Sequence, residues 1–177
     1  MKKALIVTAF FLTFIILYFI QTNFFSWYNI GGVKPNLFIV YSLFIGLFLG
    51  RKYGFGLGAL FGICLDLFIG KKIGINAIML SSAGILGGIL DKSFSKESRI
   101  TFMTMTFAVT ILCETISYVL QIAILKSIID FSKFMEIIIV EAIYNSILII
   151  ILYPLIQKVG NKTEEIINER KTLMRYY

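Results

Sequence analysis

Every fourth residue from position 54 to position 70 is glycine or aspartate: Gly54, Gly58, Gly62, Asp66 and Gly70. On an α-helix this i, i+4 row is a continuous ridge that drifts by about 40° at each step. Glycine costs a helix roughly 1 kcal/mol relative to alanine, so a glycine ridge needs compensation. In a membrane the compensation is close approach by a second backbone, which small residues at four-residue spacing permit. The ridge also carries a carboxylate, the residue type a bilayer-buried helix should avoid. Such a helix must lie against something.

The rest of the chain places that helix in a membrane. Of 177 residues, 58% are hydrophobic and only two are proline. A soluble domain so apolar would expose large greasy patches. Several runs approach or exceed the roughly 17–25 residues that cross a bilayer, and no segments of alternating polarity suggest a β-barrel. The expected fold class is an all-α integral membrane protein. The net charge of +7 comes from short basic clusters between apolar runs. That pattern fits the positive-inside rule rather than a nucleic-acid footprint, so no nucleic-acid partner is expected. Cys64 and Cys113 both sit in apolar runs, and the chain has no histidine. This removes the Ser–His and Cys–His nucleophile pairs and the His-based zinc sites. No catalytic residue, metal or cofactor is expected, and the chain reads as a non-enzyme.

Six spans are expected, at about 4–20, 36–50, 54–70, 73–90, 100–125 and 134–156, followed by a basic tail over 158–177. Gln21-Thr22-Asn23 offers no small-residue cleavage site after the first run, which therefore reads as a retained anchor. Phe24, Phe25, Trp27 and Tyr28 resemble an interfacial aromatic belt. Gly31-Gly32 supplies a turn, and Pro35 suits the start of the second span. That span is short, with Gly46 and Gly50 on its packing row. Arg51-Lys52 turns the chain into the glycine ridge. The fourth span has a second small-residue face in Ala77, Ser81, Gly84 and Gly88. With the N-terminus inside, twelve Lys and Arg residues fall on the inner side and five on the outer, counted along the sequence. Both termini are therefore expected to be cytoplasmic.

Of the polar residues inside these spans, four stand out as candidate site residues. Asp66 lies one helical turn before Gly70, roughly 6 Å from the outer end of its span by the helical rise. It either reaches the headgroups or pairs with Lys71 or Lys72, or else it fixes a partner helix or loop in the glycine groove. Glu114 is near mid-span, where an acid costs about 3 kcal/mol, with Ser117 and Tyr118 on its own face. Glu141 and Asn145 form an i, i+4 pair in the sixth span. Asp66, Glu114, Glu141 and Asn145 are expected to make one polar patch or shallow outward cavity between the third, fifth and sixth spans. Thr163 is a candidate cap for a short amphipathic tail helix, the alternative being a solvated basic tail.

The stretch Pro35-Asn36, the glycine series ending in Gly62-x-x-x-Asp66, Gly70, and then Gly74-Ile75-Asn76-Ala77 resembles the MreD family of bacterial rod shape-determining proteins. The resemblance implies a non-enzymatic scaffold subunit of the cell-elongation complex in the bacterial plasma membrane. It implies an MreC-like bitopic partner and, through it, an MreB-like cytoskeleton and the peptidoglycan synthases of the lateral wall. It also implies a fold similar to the substrate-binding subunits of energy-coupling-factor transporters. On this reading Gly46, Gly50, Gly54, Gly58, Gly62, Asp66, Gly70 and Gly74 are the helix-packing or partner-binding set. The alternative is a vitamin-binding transporter subunit of similar fold. Against it, the first span carries Ala4 and Ala9 five apart among bulky residues, not the Ala-x-x-x-Ala docking face such subunits commonly have.

Overall fold

Proline and glycine set the helix boundaries in the computed structural model, which describes residues 2–69, 73–91, 98–125 and 130–173. The elements are α1 (Lys2–Phe19), a π-helical turn (Ile20–Phe24), α2 (Phe25–Trp27), α3 (Leu37–Leu49), α4 (Arg51–Ile69), α5 (Ile75–Leu90), α6 (Arg99–Leu125) and α7 (Phe131–Leu173). Among the described residues there is no strand. An isolated bridge between Ile30 and Val33 closes the Gly31-Gly32 turn, where both glycines have positive φ. Four stretches are long and apolar enough to cross a membrane: Thr8–Trp27, Arg51–Ile69, Arg99–Ile124 and Phe131–Thr163. Two shorter apolar helices, α3 and α5, accompany them. The chain is thus an all-helical, multi-pass membrane protein.

The axis of the bundle is α3. Twelve of its 13 residues are buried, and α1, α4, α5, α6 and α7 all pack around it. Its length is about 20 Å at 1.5 Å per residue, short of the roughly 30 Å hydrocarbon layer. Pro35 precedes it, Asn36 caps it, and Gly50 ends it at φ +88. That left-handed conformation is open to glycine at little cost, and it lets α4 begin at the very next residue. Gly50 is therefore a hinge rather than a packing contact: a Cβ built on it meets nothing within 4 Å. Gly74 is a second such case, with φ +118 and open space around it, at the turn into α5.

The true close approaches run between α3, α4 and α5. A Cβ on Gly58 would stand 2.5 Å from the Leu80 carbonyl oxygen, and one on Gly62 would stand 2.5 Å from the Ala77 nitrogen. Gly54 faces Gly84 backbone to backbone, Gly88 faces Arg51, and Gly46 of α3 faces both Gly84 and Gly88. Each step of four back along α4 is met by a similar step forward along α5, so the two helices run antiparallel with their ridges in register. The groove on the glycine helix is thus filled by the chain's own α5. Around this seam a ring cluster ties in α1, with Phe14 stacked on Phe61 at 4.7 Å and 5.4 Å from Phe38.

The last two helices form a second antiparallel pair. Phe102 meets Tyr153 edge-on at 5.9 Å near one end, and Tyr118 stacks on Phe134 at 3.9 Å near the other. Helix α7 is 43 residues long, about 65 Å by its rise, so it outruns any bilayer. Thr163 lies within it and donates to the Val159 carbonyl at 2.7 Å. It does not cap a separate tail helix, because the helix that begins in the membrane never stops at the surface. Of the aromatic belt, Phe24, Trp27 and Tyr28 are exposed, while Phe25 turns inward against the Tyr144 ring.

Candidate functional site

A helix start buried in an apolar layer leaves backbone N–H groups without partners, and each costs several kcal/mol there. Two helices, α3 and α5, begin at buried residues, Leu37 and Ile75, and polar side chains of the spans gather at those starts.

The first is the N-terminus of α5. Its N-cap position is Gly74, which has no side chain to offer. Asp66, projecting from α4 and only 3% exposed, supplies the cap instead. One carboxylate oxygen accepts from Gly74 N (2.7 Å) and Ala77 N (3.2 Å). The other accepts from Asn76 N (3.1 Å) and Asn76 Nδ2 (2.9 Å). A carboxylate at the positive end of a helix dipole is also favoured electrostatically. Asp66 therefore does fix a helix and its entry turn, and the helix belongs to this chain. Gly70, Lys71 and Lys72 lie outside the described residues, and with them the expected lysine pairing.

The second is the N-terminus of α3. Asn36 N donates to Asn145 Oδ1 at 2.8 Å, and Leu37 N donates to Gln21 Oε1 at 3.1 Å. Gln21 also donates through Nε2 to the Pro35 carbonyl at 2.5 Å, so the π-helical turn that holds it clasps the entry to α3 from both sides. Asn36 Nδ2 reaches Glu114 Oε1 at 3.4 Å, and Asn145 Nδ2 donates to Thr110 Oγ1 at 3.1 Å. The Glu114 and Glu141 carboxyls lie beside each other across the α6–α7 pair. Glu141 Oε1 is buried without a hydrogen-bond partner. Thr110 and Glu114 on α6, and Glu141 and Asn145 on α7, are two i, i+4 couples facing each other across antiparallel helices. This forms a two-rung polar ladder with Asn36 set against it.

The four polar residues expected in one patch thus divide. Glu114, Glu141 and Asn145 come together, whereas the bonds of Asp66 all go to α5, because α4 packs against α5 and α3 rather than along the α6–α7 pair. Ser117 turns to its own helix and accepts from Gln121 Nε2 at 3.1 Å. Sequence reasoning missed Gln21 and Thr110. Thr110 had a readable signal, standing one turn before Glu114 as Asn145 stands one turn after Glu141. Gln21 had none beyond its polarity at the end of an apolar run.

Asn145→Ala tests the ladder. It strands the Asn36 N–H and opens a cavity at a residue that is 0% exposed, with an expected cost of about 2–4 kcal/mol. Ser146→Ala, which removes only a bond to the same helix at Ala142, should cost well under half of that. Melting of the two variants in detergent, side by side with wild type, decides it. Equal melting temperatures would remove the ladder from the account.

Gln21, Asp66 and Asn145 seat helix starts of their own bundle, and the long apolar helices around them are those of a multi-pass membrane protein. A family model supplies the particular class: that of the rod shape-determining protein MreD matches residues 1–163. The chain belongs to the MreD family, and is a rod-shape-determining membrane protein. No curated protein and no solved structure matches it.

Proposed function

We propose that the chain is a non-enzymatic scaffold subunit of the cell-elongation complex in the bacterial plasma membrane. It holds an MreC-like bitopic protein and thereby couples an MreB-like cytoskeleton to the lateral peptidoglycan synthases. The observation that carries this reading is the use of the glycine ridge and its aspartate inside the chain. The result is a rigid platform whose outer helix faces, such as Phe55, Leu60, Ile63 and Leu67 on α4, remain exposed. Family membership supports the setting.

The same reading takes α3 and α5 as true spans, making six. Helix α5 runs antiparallel to α4 along its glycine ridge, so it travels nearly as far across the bilayer, and α3 is buried against the seam between them. A fold similar to the substrate-binding subunits of energy-coupling-factor transporters belongs to this reading. So does the cytoplasmic side for both termini. Arg51, Lys52, Arg99, Lys158 and Lys162 all lie toward the end of the bundle where α3 finishes and α4 and α6 begin, as the positive-inside rule asks.

The test is co-purification in detergent of the full chain with a bitopic wall-elongation protein, alongside a cytoplasm-dependent reporter fused after Tyr177. A monodisperse chain that brings down no such partner would sink the scaffold reading. A silent reporter would reverse the topology.

A further inference from the structure

Helices α1 and α7 flank α3 without closing over it. Between them lies a cavity of about 160 Å³ walled by Leu17 of α1, Leu37, Val40 and Phe44 of α3, and Leu155 and Val159 of α7. Two hydroxyls also border it, and both are already spent. Thr13 Oγ1 donates to the Ala9 carbonyl at 2.9 Å, and Tyr41 Oη donates to the Phe10 carbonyl at 3.0 Å. The groove therefore offers an occupant hydrocarbon contact and no free polar group. At one end α7 closes down on α3, where Gly160 sits against the Phe48 ring.

That same end carries positive charge. Lys158 follows Leu155 by three residues and Lys162 follows Val159 by three, so both continue the groove-lining face of α7. Both are exposed. Helix α1 runs antiparallel to α3, since Gln21 meets Pro35 while Phe10 meets Tyr41. Its first residues, Lys2 and Lys3, therefore lie toward this end as well. Along α7 no acid falls between Glu141 and the two lysines, and the next ones in the sequence, Glu164 and Glu165, come beyond them.

We propose that this groove binds one anionic phospholipid of the adjoining leaflet. An acyl chain lies against Val40, Phe44, Leu155 and Val159, and the phosphate sits between Lys158 and Lys162. Apolar slots between membrane helices that end in basic side chains are a recognised setting for anionic headgroups. A partner helix would gain the same hydrocarbon contact but has no use for the cations at the mouth. The lipid would fill the space α1 leaves over α3 and hold α1 to α7, two helices that both pack on α3.

The test uses the full chain in nanodiscs of phosphatidylglycerol and phosphatidylcholine with matched chains, released into detergent for native mass spectrometry. Wild type should retain one phosphatidylglycerol in preference to phosphatidylcholine by about tenfold, given the attraction of two surface cations for an anionic headgroup. Lys158→Gln with Lys162→Gln should bring that ratio near one while a lipid is still retained. Val159→Trp and Leu155→Trp, at positions 46% and 60% exposed, should fill the slot and abolish retention with melting unchanged. Equal retention of the two lipids by wild type overturns the proposal, as does undiminished retention by both tryptophan variants. A photo-crosslinking side chain at position 159 that captures another protein in cells, and not lipid, overturns it in favour of a helix.

Discussion

Gly58→Leu is expected to lower stability by at least about 3 kcal/mol, at or above the usual range for overpacking a core. For a chain of this length that corresponds to a fall of roughly 6–12 °C in melting temperature. The reason is geometric. The first added carbon would stand 2.5 Å from the Leu80 carbonyl oxygen and 3.1 Å from the Ser81 Cα, and these are backbone atoms that no rotamer change can move aside. Either α4 and α5 separate or the register slips, and both undo the neighbouring contacts at Gly54 and Gly62. The matched control is Gly56→Ala, one turn-face away, where an added Cβ meets nothing within 4 Å. That change should be neutral or stabilising by up to about 1 kcal/mol through helix propensity. Thermal melting followed by size-exclusion profile checks both, and a Gly58→Leu chain that melts with wild type would refute the seam. A loss of partner binding in that variant would report a broken platform rather than a broken contact surface, so outward positions are the ones to test for docking.

Asp66→Asn should cost about 2–4 kcal/mol, although the side chain changes by only one atom. The carboxylate accepts four hydrogen bonds from Gly74, Asn76 and Ala77, and bonds to a charged group are worth roughly 1.5–3 kcal/mol each before desolvation is counted. An amide keeps one acceptor oxygen and turns its NH₂ toward backbone N–H donors. Two donors then face each other in a region with little water to separate them. Asn76→Ala removes only the side-chain bond of the four and should cost about 1 kcal/mol. Limited proteolysis at the turn between α4 and α5, combined with melting, tells the two apart. Cleavage there should rise sharply for Asp66→Asn and little for Asn76→Ala. Equal behaviour of the two variants would show that the charge has no special part.

Asp66 also marks where reading the residues stops being enough. A carboxylate at the end of a glycine row within an apolar run is conspicuous on any hydropathy reading, and so is the small-residue face of the following span. What the carboxylate binds depends on where the N-terminus of α5 sits, and that follows from the turn at Gly74 and the antiparallel register of two ridges. Gly50 and Gly74 show the same limit from the other side. They extend the glycine pattern in the sequence, but their positive φ makes them turn residues, and backbone conformation does not appear in spacing. The acids at 114 and 141 were legible as costly. They were also expected in one patch; that Asp66 stands apart from it, and which groups face which across α6 and α7, depends on the rotation of the helices about their own axes, set by packing along both.

The sequence by itself determined the solvent, the helical class and the identity of the expensive residues, since each follows from local composition set against the cost of burying a polar group in lipid. The tertiary structure decided the partners. The glycine ridge accommodates α5 of the same chain, Asp66 completes the start of that next helix, and Asn145 completes one 109 residues away in sequence. These outcomes depend on helix register and rotation, which emerge only when all the helices compete for the same contacts.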